Sequence, residues 1–346
     1  MLGGWSVSCL VRSFTTGLRQ MTKNKYALVV LLILTGCTTL RQVSPPPTPV
    51  LDKRVYLPQV FKDYPQGYGV GGGLWGLSSE WYYHWSISPT VSDARFVRMV
   101  WCLNEAYMLL NTPLIIAAAQ ADAASGAHRK WLVLNEPDGT FSSDQCGTLP
   151  VNIGGTRKVY QEPESIAARY VAVHDLITAH DTNATVFVGG ILGLNSAASR
   201  DWWTRFVAEL SRRGALGTID GVHVHAYPRW STGACAGWCM PELFAALDNW
   251  RAVYHDGLGL AGRPLWITET GAGPFCQLFA PFTGWAAVRD NVMLPFREWY
   301  AGQTDYTRAA WFVSWDGLAS LWTCNYLIDA RVTPWVLTPL GVEWTQ

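Results

Sequence analysis

Lys130–Phe141, KWLVLNEPDGTF, is the stretch whose reading decides the fold. Trp131 to Leu134 is a short apolar run of strand composition that stops at the polar Asn135-Glu136-Pro137. Pro137 has no N–H to give a sheet and biases Glu136 away from helix, so the strand must end there. A carboxylate is thereby presented at the C-terminal tip of a buried strand. A second tip of the same kind lies far downstream in Pro264–Gly271, PLWITETG, where Glu269 follows Leu265-Trp266-Ile267. Strict strand alternation sends Asn135 and Glu136 to opposite faces. Both reach one site only if the tip twists or bulges.

Working outward from these two tips, eight segments read as strands: Tyr68–Gly73, Trp81–Ser86, Arg95–Trp101, Trp131–Glu136, Thr185–Gly190, Ile219–Tyr227, Leu265–Thr270 and Arg308–Trp315. Helical patterns separate most of them. Pro163-Glu164 opens a stretch with Ile166, Tyr170, Val173 and Ile177 on one face. Ser199 is placed to cap a helix carrying Phe206 and Leu210. Pro241 starts another that stops near Gly257, and Thr283 a last one that Pro295 would kink. The first two crossovers are too short for full helices. Alternating strands and helices imply a parallel sheet, and eight of them imply closure into an α/β (β/α)₈ TIM barrel. An open doubly wound sheet is the alternative, but no Gly-x-Gly-x-x-Gly turn is present; Gly71-Gly72-Gly73 lacks that spacing.

The totals agree with one such domain. The chain has 346 residues, and a barrel of this kind typically takes ~250. Only 15% of residues are charged, 26 basic against 26 acidic, so no field exists to gather nucleic acid. The aromatic load is the unusual feature, with 19 Trp, 14 Tyr and 12 Phe. Part of it must fill core, and the rest offers flat apolar surfaces of the kind that stack on sugar rings or bases.

Residues 1–20 show no periodicity and read as an upstream extension, leaving Met1 or Met21 as the start. Residues 21–37 read as a signal. Lys23 and Lys25 form a positive segment, and Tyr26 to Leu34 is an apolar run too short to span a bilayer as a mature helix. The following Leu34-Thr35-Gly36-Cys37 resembles a bacterial lipobox, which implies lipidation of Cys37; an ordinary cleaved signal is the alternative. Residues 38–54 hold Pro45-Pro46-Pro47 and Pro49, an extended spacer. The globular domain then runs over 55–346. Export is expected, with the membrane reached only through the N-terminal lipid.

Six cysteines remain in the exported part: Cys102, Cys146, Cys235, Cys239, Cys276 and Cys324. All follow strand ends, and export permits disulfides. Their sequence leaves 15 connectivities open. Neighbouring loops favour Cys102–Cys146, Cys276–Cys324 and a small Cys235–Cys239 loop.

In such barrels function sits at the C-terminal strand ends. Those ends offer Trp85, Trp101, Asn135-Glu136, His225, Tyr227, Glu269 and Trp315-Asp316. LNEPD followed by WITETG resembles clan A of the glycoside hydrolases. In order, WYYHW, RFVRMVW, LNEPD, HVHAY, WITETG and WFVSW are similar to a narrower group, the alkali-sensitive-linkage-like proteins, a β-1,3-glucanase family (128-like) also described as a glycosidase catalytic core. The resemblance covers roughly residues 67–346.

It implies that Glu136 is the general acid/base, Glu269 the nucleophile, Asn135 a partner of the sugar 2-hydroxyl, and Trp315 the platform under the cleaved sugar. The acid must hold its proton near neutrality while the nucleophile stays ionised, helped by a donor such as Tyr227. His225 would line the sugar site and His223 would be structural. His223, His225 and Tyr227 share a strand face and could ligate zinc, but no HExxH accompanies them, so neither metal nor organic cofactor is expected. Trp81, Tyr82, Trp85, Trp101, Trp230, Trp238 and Trp285 are candidates to extend a cleft, with core packing the competing reading. The resulting expectation is a monomeric, retaining glycosidase cutting β-glucan internally, with β-1,3-glucan favoured. Competing readings are a non-catalytic carbohydrate-binding cell-surface lipoprotein and a two-lobed solute-binding lipoprotein.

Overall fold

The computed structural model describes residues 67–72, 77–89, 93–138, 162–231, 237–273, 284–314, 323–329 and 336–345, with a few single residues and two three-residue strands between them. The signal, the Cys37 site, the spacer, Cys146, Cys276, Thr283, Trp315 and Asp316 lie outside the described residues. The barrel falls within the compact unit Gln59–Gln346.

Eight parallel strands form one sheet: β1 (Gly67–Gly71), β2 (Trp81–Tyr83), β3 (Arg98–Val100), β4 (Lys130–Val133), β5 (Thr185–Ile191), β6 (Gly221–Ala226), β7 (Leu265–Thr270) and β8 (Tyr306–Trp311). Their order is β2-β1-β8-β7-β6-β5-β4-β3. The ring closes between β2 and β3 through a parallel bridge from Tyr82 to Phe96. The Tyr82 and Val97 amides bond to the Arg95 and Tyr82 carbonyls on either side of that bridge, at 3.2 and 2.8 Å. The fold is therefore the (β/α)₈ barrel, and all eight expected strands are present.

Several strands end earlier than expected, and two of these tips bear on the site. β4 ends at Val133 rather than Glu136, because Leu134 and Glu136 take left-handed backbone, with φ of 75° and 48°. β8 ends at Trp311, four residues before Trp315.

Helices follow β3 onward: α1 (Glu105–Ser125), α2 (Pro163–His180), α3 (Ala197–Arg212), α4 (Met240–Asn249), α5 (Leu294–Ala301) and α6 (Pro339–Trp344). The first two crossovers carry no helix among the described residues. In α2 the apolar face Ile166, Tyr170, Val173 and Ile177 is fully buried against the sheet. α3 is capped by Ser196, whose hydroxyl accepts from the Ser199 amide, so the cap sits three residues earlier than expected. α5 is preceded by a short α-helical segment, Trp285–Val288, and the chain widens to π geometry over Arg289–Met293, just ahead of Pro295, which cannot donate to the turn before it. α1 is the longest described helix, and Pro113 and an alanine-rich middle mask its period in the sequence. Asn104 caps it by accepting from the Tyr107 amide, and Gly126 ends it in left-handed geometry. No described helix is long and apolar enough to cross a membrane.

The barrel interior is packed with aromatic rings. Trp81, Tyr83, Val97, Met99, Leu132, Phe187, Trp266 and Ala310 form one buried cluster. Trp81 belongs to this cluster and Tyr82, on the opposite face of β2, to the larger core around the barrel, so neither lines a cleft. Gly69 makes this possible: a Cβ there would lie 2.2 Å from the Trp81 ring. Arg308 covers the end of the cluster, with its guanidinium carbon 4.7 Å from the centre of the Trp266 ring.

Candidate active site

Glu269 sits at the tip of β7 with only 3% of its surface exposed. A carboxylate so placed needs donors, and two phenols supply them. The Tyr227 hydroxyl donates to Oε2 at 2.7 Å. The Tyr83 hydroxyl lies 3.0 Å from Oε1 and 3.0 Å from the Thr268 carbonyl. Charge-assisted bonds of this kind favour the ionised carboxylate. Burial nevertheless dominates and holds the Glu269 pKa above the usual carboxylate range; the His225 charge and the two phenols work against it, and Glu136 reinforces it.

Glu136 approaches from β4. Leu134 and Glu136 each adopt a conformation that costs a side-chain-bearing residue ~1–3 kcal/mol, and such strain is held only by surrounding contacts. The Glu136 amide donates to the Gly190 carbonyl at 2.9 Å. A Cβ on Gly190 would come 3.0 Å from the Asn135 Cα and 3.2 Å from the Glu136 nitrogen, so only glycine permits this approach. Asp138 pins the same loop to the end of β5, its two carboxylate oxygens accepting from the Leu192 and Gly193 amides at 3.1 and 3.0 Å. This left-handed excursion removes the conflict posed by strict alternation past Asn135. Asn135 itself is buried, and its Oδ1 has no hydrogen-bond partner.

Between the two glutamates stands His225, fully buried on β6. Its Nδ1 lies 3.0 Å from Glu136 Oε1 and 3.3 Å from Glu269 Oε2. Burial opposes the imidazolium, but the charges of Glu269 and Glu136 outweigh it, and the His225 pKa is raised. One oxygen of each glutamate and this nitrogen all fall within 4.8 Å of one another. Such a cluster could hold an ion, yet a proton on Nδ1 shared between two acceptors accounts for the same spacing. Zinc bound by His223, His225 and Tyr227 does not fit, because His223 turns both nitrogens toward Thr268 and the Val133 carbonyl.

The aromatic candidates divide. Trp85 is half-buried and edge-on to Phe312 at 5.3 Å, and Phe312 also faces Tyr227 at 6.5 Å. Trp101 packs edge-on against Tyr107 at 5.3 Å. Trp230 and Trp238 pair at 4.6 Å in a short hairpin after β6, and the Trp238 indole donates to the Ala272 carbonyl. The Cys235–Cys239 disulfide closes that hairpin, and Cys102 and Cys324 are also disulfide-bonded. Cys146 and Cys276, the expected partners, lie outside the described residues.

Tyr83 and Asp138 were not singled out in the sequence. One signal could have found Tyr83: Trp81 and Tyr83 alternate along β2 and so share the interior face. The role of Asp138 depends on a long-range loop contact and left no local signal.

A closed barrel with two glutamates at the tips of β4 and β7, bridged by an imidazole, defines a glycosidase class of site. The chain belongs to the glycosyl hydrolase catalytic core family, whose model matches residues 74–342. It is a glycosyl hydrolase. No curated protein matches the sequence. Among solved structures it is similar to a family 128 (subgroup III) curdlan-specific exo-β-1,3-glucanase from Blastomyces gilchristii, crystallised with glucose: 18% identity, 81% of this chain and 97% of that chain covered, TM-score 0.55. A family 39 enzyme from Xanthomonas axonopodis pv. citri gives 11% identity, 82% and 66% coverage and TM-score 0.54. A family 128 (subgroup VII) oligosaccharide-binding protein from Trichoderma gamsii gives 14%, 81% and 92%, and 0.49. At these identities the likeness is one of fold.

Proposed function

We propose that the protein is a retaining β-glycosidase that hydrolyses β-1,3-glucan, with Glu136 as general acid/base and Glu269 as nucleophile. The carrying observation is the proximity of the two carboxylates, with oxygens within 4.8 Å. Retaining enzymes hold their carboxyl groups ~5–5.5 Å apart, whereas inverting ones leave ~6.5–9.5 Å for a water. The two carboxylates also differ in exposure. Glu269 is buried and held by two phenols, while Glu136 is the more exposed of the two.

In the first step a Glu269 oxygen attacks the anomeric carbon as Glu136 gives its proton to the departing glycosidic oxygen. In the second, Glu136 takes a proton from water, whose oxygen attacks the same carbon and releases Glu269. Asn135 Oδ1, buried and unpartnered, would accept from the sugar 2-hydroxyl. Every group in this scheme comes from one chain, which suits a monomer. The sugar class is supported by the family and, for β-1,3-glucan, by the curdlan specificity of the Blastomyces enzyme. Internal cleavage, export and lipid attachment at Cys37 complete the proposal, resting on the sequence.

The test is hydrolysis of laminarin, curdlan, lichenan, cellulose and xylan. We expect cleavage of the β-1,3-glucans first. Oligosaccharides of mixed length would support internal cleavage, and glucose as sole product would place the enzyme with end-acting glucanases. Turnover of xylan or cellulose alone would overturn the substrate assignment.

A further inference from the structure

Beneath the two glutamates one buried histidine ties together the strands that carry them. His223 lies on β6, two residues before His225, and is fully buried. Its Nε2 is 3.2 Å from the carbonyl oxygen of Val133, the last residue of β4. Its Nδ1 is 3.1 Å from Thr268 Oγ1, on β7 beside Glu269. A carbonyl oxygen can only accept, so Nε2 carries the proton and Nδ1 accepts from the Thr268 hydroxyl. Burial, with the neighbouring His225 charge, lowers the His223 pKa to about 3, which keeps this neutral form throughout the neutral range.

β4 and β6 are not neighbours, since β5 runs between them. The ring crosses this gap where β5 bulges at Gly189-Gly190, and a Cβ on Gly190 would lie 3.2 Å from His223 Cε1. The attachment point on β4 is also telling. Val133 immediately precedes left-handed Leu134, where the excursion that delivers Glu136 begins. At the other end of the brace, the Thr268 carbonyl lies within reach of the Tyr83 hydroxyl that also serves Glu269.

We propose that His223 is a positioning residue that locks the tip of β4 to β7 and so sets where Glu136 stands relative to Glu269. The proposal rests on the reading of Glu136 as acid/base. A histidine that merely filled core would affect stability and lower activity on all substrates alike. A brace acting through Glu136 matters most when the leaving group needs a proton.

The experiment compares kcat/KM on phenyl and 2,4-dinitrophenyl β-laminaribiosides, the second of which departs without protonation. Wild type, Glu136→Gln, His223→Leu, His223→Gln and Thr268→Val are measured, with thermal melts for folding. Glu136→Gln should lose ~10²–10⁴-fold on the phenyl substrate and little on the dinitrophenyl one. His223→Leu should follow the same pattern with a loss of up to ~10²-fold, the scale of a small misplacement. His223→Gln, whose amide N–H still reaches toward the Val133 carbonyl, should recover most of that loss.

Equal losses on both substrates, or no recovery with glutamine, would overturn the brace. If His223→Leu does not fold, Thr268→Val decides on the same comparison: a loss confined to the phenyl substrate supports the proposal, and an equal loss or none overturns it. A Glu136→Gln enzyme without selectivity would instead remove the acid/base reading itself, and the brace with it.

Discussion

Glu269→Gln is expected to abolish glucan hydrolysis, with kcat/KM falling ~10⁴-fold or more, because no other group can take the nucleophile's place. The substitution keeps the shape of the side chain and leaves an acceptor for one of the two phenols. Melting should therefore change far less than activity. Glu136→Gln should behave differently, losing most on substrates that need protonation, and added azide should restore turnover by attacking the glycosyl-enzyme without a general base. That rescue should yield a β-glycosyl azide, detectable by mass spectrometry. The same rescue is not expected for Glu269→Gln with a β-product. Loss of activity in neither variant would contradict the assignment of both residues.

Removing the phenols that hold Glu269 should produce the second large effect. Tyr227→Phe and Tyr83→Phe each delete a hydrogen bond to a buried carboxylate. A bond to a charged group is worth ~1.5–3 kcal/mol, which corresponds to ~10–100-fold in rate if it is lost from the reactive form. The pH profile carries the clearer signature. Burial already raises the Glu269 pKa, and both phenols lower it. Their removal raises it further. Since attack requires ionised Glu269, activity falls as pH drops through that pKa, and the acid limb of kcat/KM must move to higher pH. Tyr227→Phe, with the shorter bond, should show the larger displacement. An unmoved acid limb in both variants would mean that a different group controls it.

The parts of this architecture written in local sequence were readable from it. All eight strands follow from short apolar runs ended by Gly, Pro or polar residues, and the α2 face follows from Ile166, Tyr170, Val173 and Ile177. The two glutamates were visible because each ends a buried strand. What escaped depended on contacts distant in sequence. Period-two reasoning placed Asn135 and Glu136 on opposite faces, and only the left-handed turn at Leu134 and Glu136, held by the Gly190 carbonyl and Asp138, lets Glu136 approach His225. Tyr83 shares the interior face of β2 by period two, but it sits in a run of aromatic residues where any ring reads as core. Trp81, two residues earlier on the same face, is core indeed, and Gly69 on the neighbouring strand makes room for it. His223 read as structural; its role in joining β4 to β7 depends on Thr268 and a bulge in β5.

The most direct test of the central claim is the anomeric configuration of the sugar first released from a β-1,3-glucan oligosaccharide, followed by proton NMR before mutarotation. Double displacement at carboxylates this close predicts that the β-anomer appears first and the α-anomer only as it equilibrates. The α-anomer appearing first would show a single displacement by water, and Glu269 could not then be the nucleophile.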